Sequence, residues 1–183
     1  MEKIHPNVEY VMISEQEIKD RIKSMAQELD KVYEGKKPIV ICILKGSSIF
    51  FADLIRQMQT TMAVDFMSVS SYGSGTVSSG ELKIRTDLSM DIAGRDVLIV
   101  EDIIDSGNTL YRLKNLLGER NPASLNIVTL LDKPARREAP IKPDYTCFVI
   151  EDEFVIGYGL DYDEEYRNLP YVGVLKRSVY ENA

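Results

Sequence analysis

Histidine and cysteine are scarce in this sequence: there is one of the first, His5, and two of the second, Cys42 and Cys147. That scarcity excludes a disulfide scaffold and any metal site built from imidazole and thiolate. Each cysteine lies inside an apolar, strand-like run, Ile39-Val40-Ile41-Cys42-Ile43-Leu44 and Tyr145-Thr146-Cys147-Phe148-Val149-Ile150, where a small buried thiol packs well. His5 has no histidine or cysteine near it, and the sequence predicts an exposed side chain. Basic residues are outnumbered, 22 against 29 acidic, for a net charge of −7 and a pI near 4.9. With no basic footprint, neither nucleic acid nor an anionic membrane is expected as a partner. No apolar run approaches the roughly 18 residues of a membrane span. The opening Met-Glu-Lys-Ile-His-Pro lacks the apolar core of a signal peptide. The expectation is a cytoplasmic protein with one domain over residues 1–183, large enough to enclose a pocket.

What is present has the rhythm of an α/β fold. After a short extended segment, Ser14 and Glu17 make a capping box, and Ile18, Ile22, Met25, Leu29 and Val32 recur at helical spacing until Gly35. An apolar run at 38–44, a Lys45-Gly46-Ser47-Ser48 turn, a helical pattern at 49–58 and a β-rich run at 62–69 follow. Residues 70–80 hold three glycines and five serines without a core pattern and read as a mobile excursion of the kind that forms lids. A strand at 96–100, a helix with Leu110, Leu113, Leu116 and Leu117 on one stripe, and a strand at 124–131 complete the alternation. This order predicts a parallel sheet flanked by helices, with ligands at the carboxyl ends of its strands. Beyond Lys133 come short β-like pieces at 146–150, 154–158 and 171–174, expected to finish the sheet and form a small cap without further helix.

The chemistry concentrates between Val97 and Leu110. A buried strand delivers Glu101 and Asp102, then Asp105, then the loop Ser106-Gly107-Asn108-Thr109 at the start of a helix. Exposed N–H groups and the positive end of the helix dipole suit a phosphate there, and two hydroxyls add donors. Glu101 and Asp102 can accept from ribose hydroxyls or hold Mg²⁺. The bland reading, a solvated acidic turn and a helix cap, does not account for two acids, a spaced third and an anion loop at one junction. A P-loop and a dinucleotide fingerprint are both missing: there is no Gly-x-x-x-x-Gly-Lys run, and Gly73-Ser74-Gly75 lacks its third glycine.

This stretch resembles the phosphoribosyl-diphosphate-binding motif of the type I phosphoribosyltransferases, and its surroundings resemble their hypoxanthine–guanine branch. The resemblance extends over nearly the whole chain: Leu44-Lys45-Gly46, Ser71-Tyr72, residues 101–107, Leu131-Asp132-Lys133, residues 154–162 and Arg167 occur in the right order. It implies the type I phosphoribosyltransferase-like fold, a parallel α/β sheet with a small hood built from N- and C-terminal segments. It also implies transfer of a 5-phosphoribosyl group from its 1-diphosphate to N9 of a 6-oxopurine with Mg²⁺ as cofactor, in a homodimer or homotetramer. Ser106, Gly107, Asn108 and Thr109 would bind the 5′-phosphate, and Glu101 and Asp102 the ribose hydroxyls and metal. Asp105 would serve as general base near purine N7. Lys133 would donate to the 6-oxo group, Phe154 would stack on the base, and the Val155 backbone would read its edge. Asp161 would assist a second Mg²⁺. Lys45, Gly46 and Arg167 would hold diphosphate, with a non-proline cis peptide at Leu44–Lys45, while Ser71 and Tyr72 would close over the sugar. The rest of the acidic run 161–165 reads as a solvated face.

Ser106 and Asn108 stand where relatives often carry Thr and Lys, a departure that weakens side-chain contributions to phosphate affinity and leaves the backbone donors intact. Two other readings stay open at this point: a nucleotide-sensing, RNA-binding regulator of the same fold, which the acidic pI disfavours, and an enzyme acting on xanthine, adenine or a pyrimidine.

Overall fold

The strand Ile39–Leu44 (β2) organises the molecule because its side chains alternate between two cores. In the computed structural model, which describes residues 4–71 and 82–181, Val40 and Cys42 join one apolar cluster while Ile39, Ile41 and Ile43 join another. The first cluster also receives α1 (Glu15–Val32) and α2 (Ser48–Gln57), and the second receives α3 (Asn108–Gly118) on the opposite face. Leu98 and Val100 of β5 (Asp96–Ile104) face the first, and Val97 and Ile99 the second, so the sheet is covered on both sides.

The sheet has six strands in the order β4-β3-β2-β5-β6-β7, where β3 is Ala63–Ser71, β4 Leu82–Thr86, β6 Ser124–Asp132 and β7 Tyr145–Val149. All neighbours are parallel except β3 and β4. The chain order reverses between β2 and β5, and such a switch point opens a crevice at the strands' carboxyl ends. A second, antiparallel sheet, β1-β9-β8, joins β1 (Val8–Ile13) to β8 (Val155–Ile156) and β9 (Val172–Leu175) around Val8, Ile156, Tyr171 and Leu175. This is the expected hood.

α1 begins on the predicted capping box, with Ser14 and Glu17 bonded reciprocally, and buries Ile18, Ile22, Met25 and Leu29. Full burial of one such side chain stabilises by about 1.5–3 kcal/mol. Both cysteines are buried and unpaired.

Several expectations are corrected. The acid pair Glu101–Asp102 does not end its strand: β5 continues to Ile104 because β6 stays paired with it as far as Asp132. Helix does return after Lys133, as a 3-10 turn Pro134–Arg136 and as α4 (Arg177–Tyr180), both too short to leave a periodic signal. His5 is half-buried, its ring edge-on to Tyr166 with centroids 5.2 Å apart and its Nδ1 accepting from the Asn7 N–H. Tyr72 and most of the excursion at 70–80 lie outside the described residues, and Ser71 ends β3.

Candidate functional site

Two cavities meet at the carboxyl end of β5. One, of about 250 Å³, is lined by residues 101–107, Thr109 and Leu110. The other, of about 570 Å³, is walled by Lys133, Phe154, Val155 and Asp161 among others. Asp102, Ile103 and Asp105 belong to both.

The smaller cavity follows from how α3 starts. Gly107 stands at its N-cap in the left-handed region (φ 79) with no side-chain cap; the Asn108 N–H turns to Ser106 Oγ at 3.4 Å, which leaves the next N–H groups of the first turn, those of Thr109 and Leu110, for an anion. The loop is braced from behind. The Ser106 carbonyl accepts from the N–H groups of Glu138 (2.9 Å) and Ala139 (3.1 Å). The Arg137 guanidinium donates to the carbonyls of Asp105 (3.1 Å), Ile104 (3.3 Å) and Ile141 (2.7 Å) and to the Asp132 carboxylate. Asn108 reaches Glu138 at 2.6 Å, which holds a neutral side chain at the loop's rim, and Thr109 lies half-buried in the first turn.

Glu101 and Asp102 are the electrostatic centre. Burial, with Asp102 adding to it, pushes the Glu101 carboxyl well above the usual carboxylate range. Burial pushes Asp102 up to about 6, opposed by the N–H of Ile103, which donates to its Oδ1 at 2.7 Å. Facing them, the turn after β2 contains the cis peptide Leu44–Lys45, as expected. A Cβ on Gly46 would stand 1.6 Å from Asp102 Oδ2, so only glycine fits against that carboxylate.

In the larger cleft, Asp105 Oδ1 is buried, has no aligned hydrogen-bond donor among the described residues, and sits 2.9 Å from Arg136 Nε. Arg136 also approaches Asp152 at 3.6 Å. Lys133, which its position before proline would leave solvated, is buried and donates to the Glu153 carbonyl, with Asp152 3.9 Å away. Val155 is fixed in β8 opposite Val174. Phe154 is 39% exposed and stacks on Tyr180, at 5.0 Å and 20°, so one of its two faces is already covered. Asp161 and Arg167 pair at 2.9 Å, and Arg167 also donates to the Gly159 carbonyl.

The structure thus gathers Lys45, Gly46, Glu101, Asp102, Asp105, Ser106, Gly107, Thr109, Lys133, Phe154, Val155, Asp161 and Arg167 around one crevice, while the exposed Asn108 side chain, turned to Glu138, lines neither cavity. Sequence reading missed Arg136, Arg137, Asp152 and Tyr180, none of which carries a pattern by itself, and it missed Glu164. That side chain ion-pairs with Lys45 and Arg167, where a purely solvated face was expected.

Known proteins share this sequence and fold. A phosphoribosyl transferase domain matches residues 11–163. The hypoxanthine-guanine phosphoribosyltransferase of Bacillus subtilis (strain 168) is 54% identical over 176 residues, covering 96% of this chain and 98% of that protein. The bifunctional protein TilS/HprT of Listeria monocytogenes serotype 4b (strain F2365) is 52% identical over 179 residues, and there the chain spans only 28% of the relative's length. A crystal structure of a hypoxanthine phosphoribosyltransferase from Staphylococcus aureus superposes with a TM-score of 0.93 at 49% identity, covering 96% of each chain. Matched over nearly its whole length, the chain belongs to the phosphoribosyl transferase family, in the hypoxanthine–guanine branch.

Proposed function

We propose that this chain transfers the 5-phosphoribosyl group from 5-phosphoribosyl 1-diphosphate to N9 of hypoxanthine or guanine, forming IMP or GMP and diphosphate. The observation that carries this reading is the shared wall: a smaller cavity at the anion loop and a larger cleft beside Lys133 and Phe154 have Asp102, Ile103 and Asp105 in common, so one ligand with a phosphate, a sugar and a base can reach both. The close relatives' names support the same substrates.

In this mechanism the first turn of α3, with Ser106 and Thr109, grips the 5′-phosphate. Glu101 and Asp102 accept from the ribose hydroxyls, which fixes the anomeric carbon over the wall. The purine enters between Phe154 and the Val155 backbone with its 6-oxo group toward Lys133. An ammonium has only donors, so it favours an oxo group over an amino group. Asp105 Oδ1, an acceptor without an aligned donor, receives the N7 proton as N9 bonds to C1, and Arg136 gives way toward Asp152. Lys45, the Gly46 backbone and Arg167 receive the growing charge on diphosphate.

The donor set suits a hard cation: Glu101, Asp102 and Asp161 offer oxygen only, and burial raises the first two, so a cation beside them would favour their charged forms. Glu101, Asp102 and Asp161 are the residues that would hold Mg²⁺ here. Bound Mg²⁺ would neutralise the leaving diphosphate.

No helix among the described residues is long and apolar enough to cross a membrane, and we assign the activity to a single cytoplasmic domain acting on small molecules. Val64 and Phe66, exposed on the same face of β3, supply apolar surface for a homodimer or homotetramer. The test is incubation with phosphoribosyl diphosphate, Mg²⁺ and each of hypoxanthine, guanine, xanthine, adenine and uracil. Nucleotide should form with the first two. Product only with xanthine, adenine or uracil would replace the substrate assignment, and no product with any base would end it.

A further inference from the structure

One oxygen atom joins the two cations assigned to diphosphate. Glu164 Oε2 lies 2.9 Å from Lys45 Nζ and 3.3 Å from a terminal nitrogen of Arg167. Lys45 comes from the turn after β2 and Arg167 from the hood, more than 100 residues later. Burial does not force this meeting, because the side chains of Lys45 and Glu164 are 65% and 64% exposed. The backbone does favour it: Glu164 is left-handed at φ 64, and its N–H donates to Asp161 Oδ2 at 3.0 Å. The other Asp161 oxygen holds Arg167 at 2.9 Å. Both cations, Lys45 more strongly, hold the Glu164 carboxyl below the usual range, as expected of an anion seated between them.

We propose that Glu164 is an internal stand-in for diphosphate, a carboxylate that occupies Lys45 and Arg167 until diphosphate or its sugar ester displaces it. This rests on the function proposed above. Asp161 and the Gly159 carbonyl already hold Arg167, and Lys45 meets the same Glu164 carboxylate, so Glu164 occupies both of the charges that an incoming diphosphate needs. A diphosphate offers more charge and more oxygens, so it wins the exchange. When the product is to leave, Glu164 competes for the same two cations and helps displace it. Exposed ion pairs are individually weak, so the competition lowers diphosphate affinity by about two- to fivefold, not by orders of magnitude.

Calorimetric titration with Mg²⁺–diphosphate tests this. Glu164→Gln should bind it about two- to fivefold more tightly than wild type, since one competitor is gone. Glu164→Asn, whose side chain tolerates left-handed backbone, should tighten binding in the same direction. The gain should shrink in a Lys45→Met background, where half of the contested site is missing. A purely structural glutamate would instead give weaker binding on substitution. Unchanged or weaker binding by both variants, or an undiminished gain without Lys45, overturns the assignment. If wild type itself binds no Mg²⁺–diphosphate, the proposed function falls and takes this assignment with it. If wild type binds and neither variant tightens, the stand-in role alone falls.

Discussion

Gly46 and Asp102 are in such close contact that a methyl group cannot be added without moving the carboxylate. Gly46→Ala would set its Cβ 1.6 Å from Asp102 Oδ2. Displacing a substrate-positioning group by about 1 Å costs on the order of 10²-fold in rate, so kcat/KM should fall by ~10² while the circular dichroism of the folded protein is kept. Wild-type kcat/KM would show that the contact relaxes freely. Asp105→Asn tests the other side of the wall: loss of a general base lowers turnover by ~10²-fold, with sugar-phosphate affinity nearly unchanged. Unaltered turnover would remove Asp105 from that role. At this scale the sequence exposed the residues that sit in one dense motif, 101–109, and those carried by family resemblance. It hid Arg136, Asp152, Tyr180 and Glu164, because each draws its significance from a partner between 3 and 119 positions away. Lys133 was legible through the resemblance alone; its burial, with the Glu153 carbonyl as acceptor, has no mark in the sequence.

Among the elements, α1 was the most legible, since cap, stripe and terminator all agree over 18 residues. Its Leu29 is fully buried in the cluster that also contains Val40, Leu98 and Val128. Leu29→Ala should therefore cost about 2–5 kcal/mol in urea unfolding and leave kcat unchanged well below the midpoint, because the helix covers the sheet face away from the loop. A loss under 1 kcal/mol would mean the core collapses around the gap. The strand β4 escaped notice even though Leu82, Ile84 and the polar residues between them alternate. Five residues of period two at a sheet edge give a weak signal, and the glycine- and serine-rich stretch before them masked it. The pairing of β1 with β9 was also invisible, because it joins residues more than 150 positions apart and no local rule encodes so distant a partner.

For the molecule as a whole, the acid pair at the crevice couples folding to pH and to ligands. Asp102 has an ordinary value of 3.8 and is pushed up to about 6 by burial, and Glu101 is raised in the same direction. A carboxyl raised on folding takes up its proton more readily in the folded state. Its contribution to stability is complete below 3.8 and is lost as pH rises through about 6. Above that pH the ionised Asp102 costs the metal-free fold on the order of 2 kcal/mol, after allowing for its partial contact with water. Asp102→Asn removes this titration while keeping an oxygen for the Ile103 N–H. Carboxyls held low elsewhere, such as Asp87 hydrogen-bonded to Arg120, act in the opposite sense but are common to both proteins and cancel. In chelator-treated protein, the stability of Asp102→Asn relative to wild type should be smallest near pH 4, rise between pH 4 and 6, and level off above about 7. Mg²⁺ with phosphoribosyl diphosphate at pH 7.5 should then stabilise wild type more than the variant, because the incoming cation offsets the cost of a buried charge that the variant no longer carries. Urea midpoints across this range measure both effects, and a difference that stays flat with pH would mean that the Asp102 carboxyl is already solvated in the folded protein.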